Sequence, residues 1–217
     1  NLSNLLELAA AGNVLEVLPQ SIAQLKKIEK LDLRSNQIRQ VPKTIRLVQT
    51  LKELELRDNA LENLEPAIFE LKKLELLDIG HNNLTELPKE IGQLKELVRL
   101  ISVDNRFTEL PASLGQLSKL EVLNLDYNQL TTIPNELGQL KNLAVLLLRG
   151  NQIKSIPDEI GNIQTLITFK VSDNQLTKLP QTIVHLKKLK ELDLEQNQFK
   201  LFPAALNSFC LLYTSPS

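Results

Sequence analysis

Few side chains in this sequence combine the type and spacing that catalysis or metal binding requires. The two histidines, His81 and His185, fall in different parts of the repeated unit described below, one near the end of a predicted strand and one in a return segment. They are therefore not expected to share a metal ion. The single cysteine, Cys210, has no histidine in an equivalent or neighbouring unit, so a nucleophilic Cys–His pair is not predicted. We expect neither a metal site nor a cofactor.

Carboxylates are the other groups that could act as acid and base. Glu53 and Glu55 are two residues apart, and Asp78 is predicted to lie beside Glu55 on the adjoining strand. These groups are predicted to lie on an open sheet without an enclosing pocket, where water keeps carboxylates ordinary. The sequence therefore predicts a protein that is not an enzyme.

Charge and composition argue against several classes of partner. The 217-residue chain has 25 Lys plus Arg against 26 Asp plus Glu, which disfavours binding to nucleic acid or to an acidic membrane surface. Hydrophobic residues make up 42%, but no apolar run approaches the roughly 20 residues that span a bilayer. We expect a monomer located in the cytoplasm. Bacterial export stays open because the sequence does not begin with Met.

An internal repeat predicts the elements that position these groups. Asparagine recurs nine times with an unbroken spacing of 23 residues, and each unit fits L-x-x-L-x-L-x-x-N-x-L-x-x-L-P-x-x-I-x-x-L. The repeat domain is predicted to cover residues 5–209. Units one to nine begin at residues 5, 28, 51, 74, 97, 120, 143, 166 and 189. The recurring asparagines are Asn13, Asn36, Asn59, Asn82, Asn105, Asn128, Asn151, Asn174 and Asn197.

The spacing within each unit predicts a strand followed by a helical turn. Leu54 and Leu56 alternate with outward-facing residues, as in a short strand, whereas Pro134, Leu137 and Leu140 follow the three-residue step of a helical or 3-10 return segment. Since every unit runs the same way, the strands must pair in parallel. We predict an α/β solenoid shaped as a curved horseshoe. Its concave parallel sheet would be on the order of 38 Å long, with the return segments on the convex side.

These motifs resemble the leucine-rich repeats in their 23-residue variety, over almost the whole chain. The likeness extends to intracellular Ras-group and scaffold-type repeats and to bacterial arrays. The resemblance implies a non-catalytic protein–protein interaction module, of scaffold or signalling type, that holds a partner protein on its concave face. One alternative is that the array is the recognition arm of a larger enzyme, such as a Roco-type GTPase, a kinase or a ubiquitin ligase. Another is a purely structural surface protein.

The asparagine column has two interpretations. A row of amides could contact a ligand, but an amide at the bend after each strand can also satisfy backbone groups of its own and the neighbouring turn. We favour the structural ladder. Recurring glycines are expected to permit close packing rather than to bind phosphate; they are Gly92, Gly115, Gly138 and Gly161.

The outward positions of the strands differ along the repeat. The third, fifth and seventh residues of each unit should project from the concave face. They are mainly charged in units two and three, and become apolar in the middle, with arginine and tyrosine nearby, which is typical of a protein-binding surface. Aliphatic residues that merely suit strands are the alternative. The predicted partner-binding residues are Leu76, Arg99, Ile101, Val103, Val122, Tyr127, Val145, Leu147 and Arg149.

Two units depart from the pattern. In unit five Ser102 occupies an inward position, where a one-residue slip would instead turn Ile101 and Val103 inward. A regular register is favoured because Asn105 keeps its place after the anomaly. In unit three Glu65 stands where proline is expected and Pro66 follows it, which we interpret as a local variation of the turn.

The end of the sequence differs from the repeat. Residues 210–217 resemble the in-frame translation of a sequencing-library adapter, so this tail is expected to be non-native. The alternative is a short hydrophobic tail that covers the last unit. If the tail is non-native, any domain that follows the repeats in the parent protein is missing from this sequence.

Overall fold

The computed structural model describes residues 2–206. The predicted adapter-derived tail at 210–217, with Cys210, lies outside this range, as do the last residues of the predicted repeat domain. Within it the chain forms nine three-residue strands in one parallel sheet, each paired with the next in the sequence. The strands are β1 Glu7–Ala9, β2 Lys30–Asp32, β3 Glu53–Glu55, β4 Leu76–Asp78, β5 Arg99–Ile101, β6 Val122–Asn124, β7 Val145–Leu147, β8 Thr168–Lys170 and β9 Glu191–Asp193.

A 3-10 helix follows every strand and forms the return path. These helices stack one on the next, so they make a second layer behind the sheet. The predicted parallel solenoid with short return segments is therefore confirmed. The helices are Gln20–Gln24, Lys43–Leu47, Pro66–Glu70, Lys89–Gln93, Ala112–Gln116, Asn135–Gln139, Asp158–Asn162, Gln181–His185 and Ala204–Leu206.

Proline sets the point at which most return helices begin. Pro88 is extended, with φ −60° and ψ 146°, and its carbonyl accepts the N–H of Ile91 at 3.0 Å. In unit three Glu65 takes this place, and its carbonyl accepts the N–H of Ile68 at 3.0 Å. Pro66 becomes the first helical residue, where an N–H needs no partner. The sequence indicates a local variation of the turn here, but the backbone hydrogen bond that begins the return helix is the same as in unit four.

One hydrophobic core runs between the two layers. In unit six, Leu120, Leu123 and Leu125 are completely buried, and other units contribute equivalent leucines and isoleucines. The return helices pack closely enough that a Cβ on Gly115 would collide with the backbone carbonyl of Glu136 in the next unit. Glycine in this column therefore lets neighbouring 3-10 helices touch through their backbones.

The recurring asparagines tie each unit to the preceding one. Asn128 donates from Nδ2 to the carbonyls of Ser102 at 3.0 Å and Leu125 at 3.1 Å. Its Oδ1 accepts the N–H of Phe107 at 3.1 Å. The same three kinds of bond recur at each asparagine from unit two to unit nine. These side chains face the backbone and are not available to a ligand on the concave face.

The register at Ser102 is regular. Arg99 pairs with Val122 and Ile101 pairs with Asn124, with no extra residue between them. Ser102 therefore points into the core and is completely buried, and its Oγ has no hydrogen-bond partner among residues 2–206. The slip does not occur because it would turn every side chain of the strand to the opposite face.

Ser102→Ala should raise the free energy of unfolding by about 1 kcal/mol, because it removes a buried hydroxyl that has no partner. Ser172→Ala is the matched control, since Ser172 is also buried but its Oγ donates to Asp193 Oδ2 at 2.7 Å. That control should lower stability by a similar amount. Urea denaturation followed by circular dichroism measures both. A loss of stability in Ser102→Ala would contradict this account of the buried hydroxyl.

Asn128→Ala should destabilise the fold by roughly 3 kcal/mol, because it leaves buried carbonyls and a buried N–H without partners. Asn13→Ala is the control, since the Asn13 amide is exposed and, in the described part of the chain, its hydrogen bonds go only to Ala10 and Ala11 of its own unit. We expect it to cost less than about 1 kcal/mol. Urea denaturation gives both values, and hydrogen exchange at the Phe107 amide locates the loss. Equal costs for the two variants would refute the ladder's inter-unit role.

Candidate protein-binding face

The side chains predicted to bind a partner come from four adjacent strands and the turns after them. Across the sheet, Leu76 pairs with Arg99 and Arg99 with Val122, and Val122 pairs with Val145 on the next strand. Strand spacing of about 4.8 Å makes this group roughly 14 Å wide. We call its six partly buried aliphatic members the apolar patch; they are Leu76, Ile101, Val103, Val122, Val145 and Leu147.

Asn124 lies inside the apolar patch and was not among the predicted residues. In the sheet register it stands between Ile101 and Leu147. Its Oδ1 accepts the N–H of Asp126 at 3.0 Å, so the amide is turned toward its own chain. The sequence could have identified Asn124 as a residue of this face, because residue 124 occupies the fifth position of unit six and must face outward.

Arg149 is held in place by a buried carboxylate. Its Nε and Nη2 donate to Asp126 Oδ2 at 2.8 and 2.6 Å, and its backbone N–H donates to Oδ1 at 2.7 Å. The Asp126 side chain is only 1% exposed, and it raises the pKa of Arg149 through these hydrogen bonds. The guanidinium therefore forms a fixed border of the apolar patch.

Tyr127 adopts a left-handed backbone conformation, with φ 55°. Its ring lies against Gly150, where a Cβ would collide with ring atoms, and Gly150 itself has φ 63°. The ring is thus fixed at the rim although 53% of the residue is exposed. In every unit the residue before the ladder asparagine has a left-handed backbone conformation. This conformation was not predicted, although glycine and small polar residues, which favour it, recur at that position.

A separate set of charges covers units two and three. Lys30 Nζ lies 3.0 Å from Glu53 and 3.1 Å from Glu55, and Arg34 contacts Asp32 at 2.7 Å and Glu55 at 3.0 Å. The carboxylates raise the pKa of Lys30, and the hydrogen bonds from Arg34 lower the pKa of Asp32. We call these five residues the charged cluster. Because its charges pair with one another, it offers little net charge to a partner.

Asp78 lies between the charged cluster and the apolar patch. Burial raises the pKa of its carboxyl group, while the N–H of Gly80, which donates at 3.0 Å, opposes this shift. Across the sheet it stands between Glu55 and Ile101. The sequence makes this carboxylate, beside Glu55, a candidate for acid–base chemistry. The structure brings the two residues together. Glu55 is buried, and burial raises the pKa of Asp78, so the expectation that water keeps these carboxylates ordinary is wrong for this pair.

His81 lies at the rim of the concave face and connects three units. Its Nδ1 is 2.9 Å from Asp104 Oδ2, and its Nε2 is 2.7 Å from Arg57 Nη2. A neutral ring that donates from Nδ1 and accepts at Nε2 satisfies both contacts. His185 lies far along the chain, in a return helix. Within residues 2–206, no group of three or more His, Cys, Asp or Glu side chains could hold a metal ion.

No helix in the described part of the chain is long and apolar enough to cross a membrane.

Two family models match the chain. One, described as a leucine-rich repeat region, matches residues 46–152, and the other, described as a leucine rich repeat, matches residues 141–199. Among curated protein sequences, none matches significantly.

Several solved structures share the fold. A leucine-rich repeat protein from Leptospira interrogans is 41% identical with a TM-score of 0.91, and the alignment covers 94% of this chain and 52% of that one. An internalin from Listeria monocytogenes is 23% identical with a TM-score of 0.84, over 96% of this chain and 59% of that one. The Arabidopsis receptor kinase HAESA, in complex with the peptide hormone IDA and the co-receptor SERK1, is 28% identical with a TM-score of 0.81, over 94% and 36%.

The chain thus spans about half the length of the Leptospira protein and about a third of the HAESA chain. Leucine-rich repeats are typically non-catalytic and generally serve as protein–protein interaction modules. The family models, the structural neighbours and the nine-unit parallel sheet agree. The chain belongs to the leucine-rich repeat proteins.

Proposed function

We propose that the chain is a non-catalytic binding module that holds a partner protein on the apolar patch, in a scaffold or signalling role. The observation that supports this proposal is the difference between two regions of the concave face. The charged cluster in units two and three is paired internally, whereas units four to seven expose contiguous aliphatic side chains. Aliphatic surface with arginine and tyrosine at its border has the composition of a protein interface.

The geometry of the border adds support. Arg149 is fixed by Asp126 and Tyr127 by Gly150, so these side chains lose little freedom when a partner binds. HAESA, a structural neighbour, is seen in complex with a peptide hormone and a co-receptor. That complex is a property of HAESA, and it supports protein binding by the present array by analogy only.

A second proposal is that the array is the recognition arm of a larger enzyme. The neighbour HAESA is named a receptor kinase, and this chain aligns with 36% of the HAESA chain. Long-read sequencing of the source DNA across both ends of the coding sequence tests this. A catalytic domain in the same reading frame would make the apolar patch a targeting surface. A stop codon after a polar capping unit would favour a stand-alone binding module.

Changing Ile101 and Leu147 together to Asp should reduce recovery of the partner roughly tenfold or more, because it places two charges in an apolar interface. The fold should survive, since Asp occupies the same fifth position of the unit at Asp32, Asp78 and Asp193. Affinity capture from a lysate of the source organism, quantified by mass spectrometry, measures recovery. Circular dichroism checks that the variant is folded.

The matched control changes Leu47 and Leu201 to Asp. Both leucines are exposed, at 51% and 84%, and neither lies on the concave face. This variant carries the same added charge and should capture the partner as well as the wild-type chain does. Undiminished capture by the folded Ile101/Leu147 variant would refute the placement of the binding site.

A further inference from the structure

Arg99 differs from the other cations of the concave face. Five of the six cations at the third, fifth and seventh positions of the described units are bonded to a neighbouring side chain. Arg99 is exposed, and within residues 2–206 its guanidinium makes no hydrogen bond or ion pair. The five bonded cations are Lys30, Arg34, Arg57, Arg149 and Lys170.

The surroundings of Arg99 are apolar on both sides. Leu76 and Val122 are its direct neighbours across the sheet, and Ile101 is the next outward residue on the same strand. A partner that covers these side chains also takes water away from the guanidinium. Burying an unpaired charge is costly, so a partner that binds here must bring a compensating group.

The nearby carboxylates of the concave face are already engaged. Asp126 is bonded to Arg149, Asp104 to His81, and Asp78 accepts the N–H of Gly80. None of them pairs with Arg99 in the described part of the chain. The apolar patch therefore carries one guanidinium that no side chain of the described residues pairs with, and this group is complementary to a carboxylate from outside.

We propose that Arg99 binds an Asp or Glu side chain of the partner protein, set among apolar residues of that partner. This inference rests on the proposed function and adds the chemistry of the partner. An internal acidic side chain fits better than a chain terminus, because the aliphatic neighbours Leu76 and Val122 flank Arg99 on both sides. A terminal carboxylate would have partner residues on one side only.

Peptide selection tests the proposal with a defined probe. The probe is a library of random nine-residue segments displayed within a closed loop of a carrier domain, so that no segment has a free carboxyl terminus. The full chain and its Arg99→Gln variant are the targets. Arg39→Gln is the control, because Arg39 is exposed and its guanidinium is unpaired within residues 2–206, but it lies outside the concave columns. Segments enriched on the wild-type and control chains should share one Asp or Glu between apolar residues.

The affinities of an enriched segment give the quantitative result. We expect Arg99→Gln to weaken binding roughly tenfold or more and Arg39→Gln to leave it unchanged. Changing the acidic residue of the segment to its amide should weaken binding to the wild-type chain by a similar factor. It should have little further effect on the Arg99→Gln chain, as a direct pair requires.

Two results would overturn the inference: equal enrichment on the wild-type and Arg99→Gln chains, or enriched segments without an acidic residue. Failure of the proposed function looks different. If the Ile101/Leu147 double Asp variant binds the enriched segments as well as the wild-type chain does, the apolar patch is not the binding site. If that variant loses binding while Arg99→Gln keeps it, only the role of Arg99 is wrong.

Discussion

The asparagine ladder is the interaction on which the rest of this structure depends. Each strand is only three residues long, and the chain turns sharply after it, which leaves carbonyls of two successive units facing the interior. One amide satisfies both and accepts an N–H from the preceding unit, as Asn128 does with Ser102, Leu125 and Phe107. Because a single side chain serves two units, the ladder couples neighbouring units and holds them in one register.

The ladder also explains why a polar residue at an inward position does not disturb the sheet. A slip at Ser102 would restore burial of Ile101 and Val103, but it would displace Asn105 from its bonds to Ile79 and Leu84. Leaving one hydroxyl without a partner costs less than disconnecting an asparagine from several backbone groups. Register is thus decided by hydrogen bonds at the turn, and the outward residues can vary without changing the fold.

Most of the fold could be predicted from the sequence because it depends on spacing. The period of 23 gives the strands, the parallel pairing and the positions of the buried leucines. The details of the face depend on contacts between units that spacing does not contain. Arg149 pairs with Asp126 of the neighbouring unit, and His81 bridges Arg57 and Asp104 of the two units beside it. Both contacts depend on side-chain conformations that the repeat spacing does not fix.

These inter-unit contacts determine which outward side chains are available to a partner. A charged residue counts as a recognition group only if its neighbours leave it unpaired, so the number of charges on a face is a poor guide to its specificity. The charges of the charged cluster, including Arg34 and Glu55, are largely paired with one another. A partner would have to break these ion pairs to bind the charged side chains. Aliphatic surface gives affinity with little selectivity, whereas one uncompensated charge within it selects partners by penalising those without a complementary group. In this chain the two features coincide at Arg99, because the sheet register places it between Leu76 and Val122.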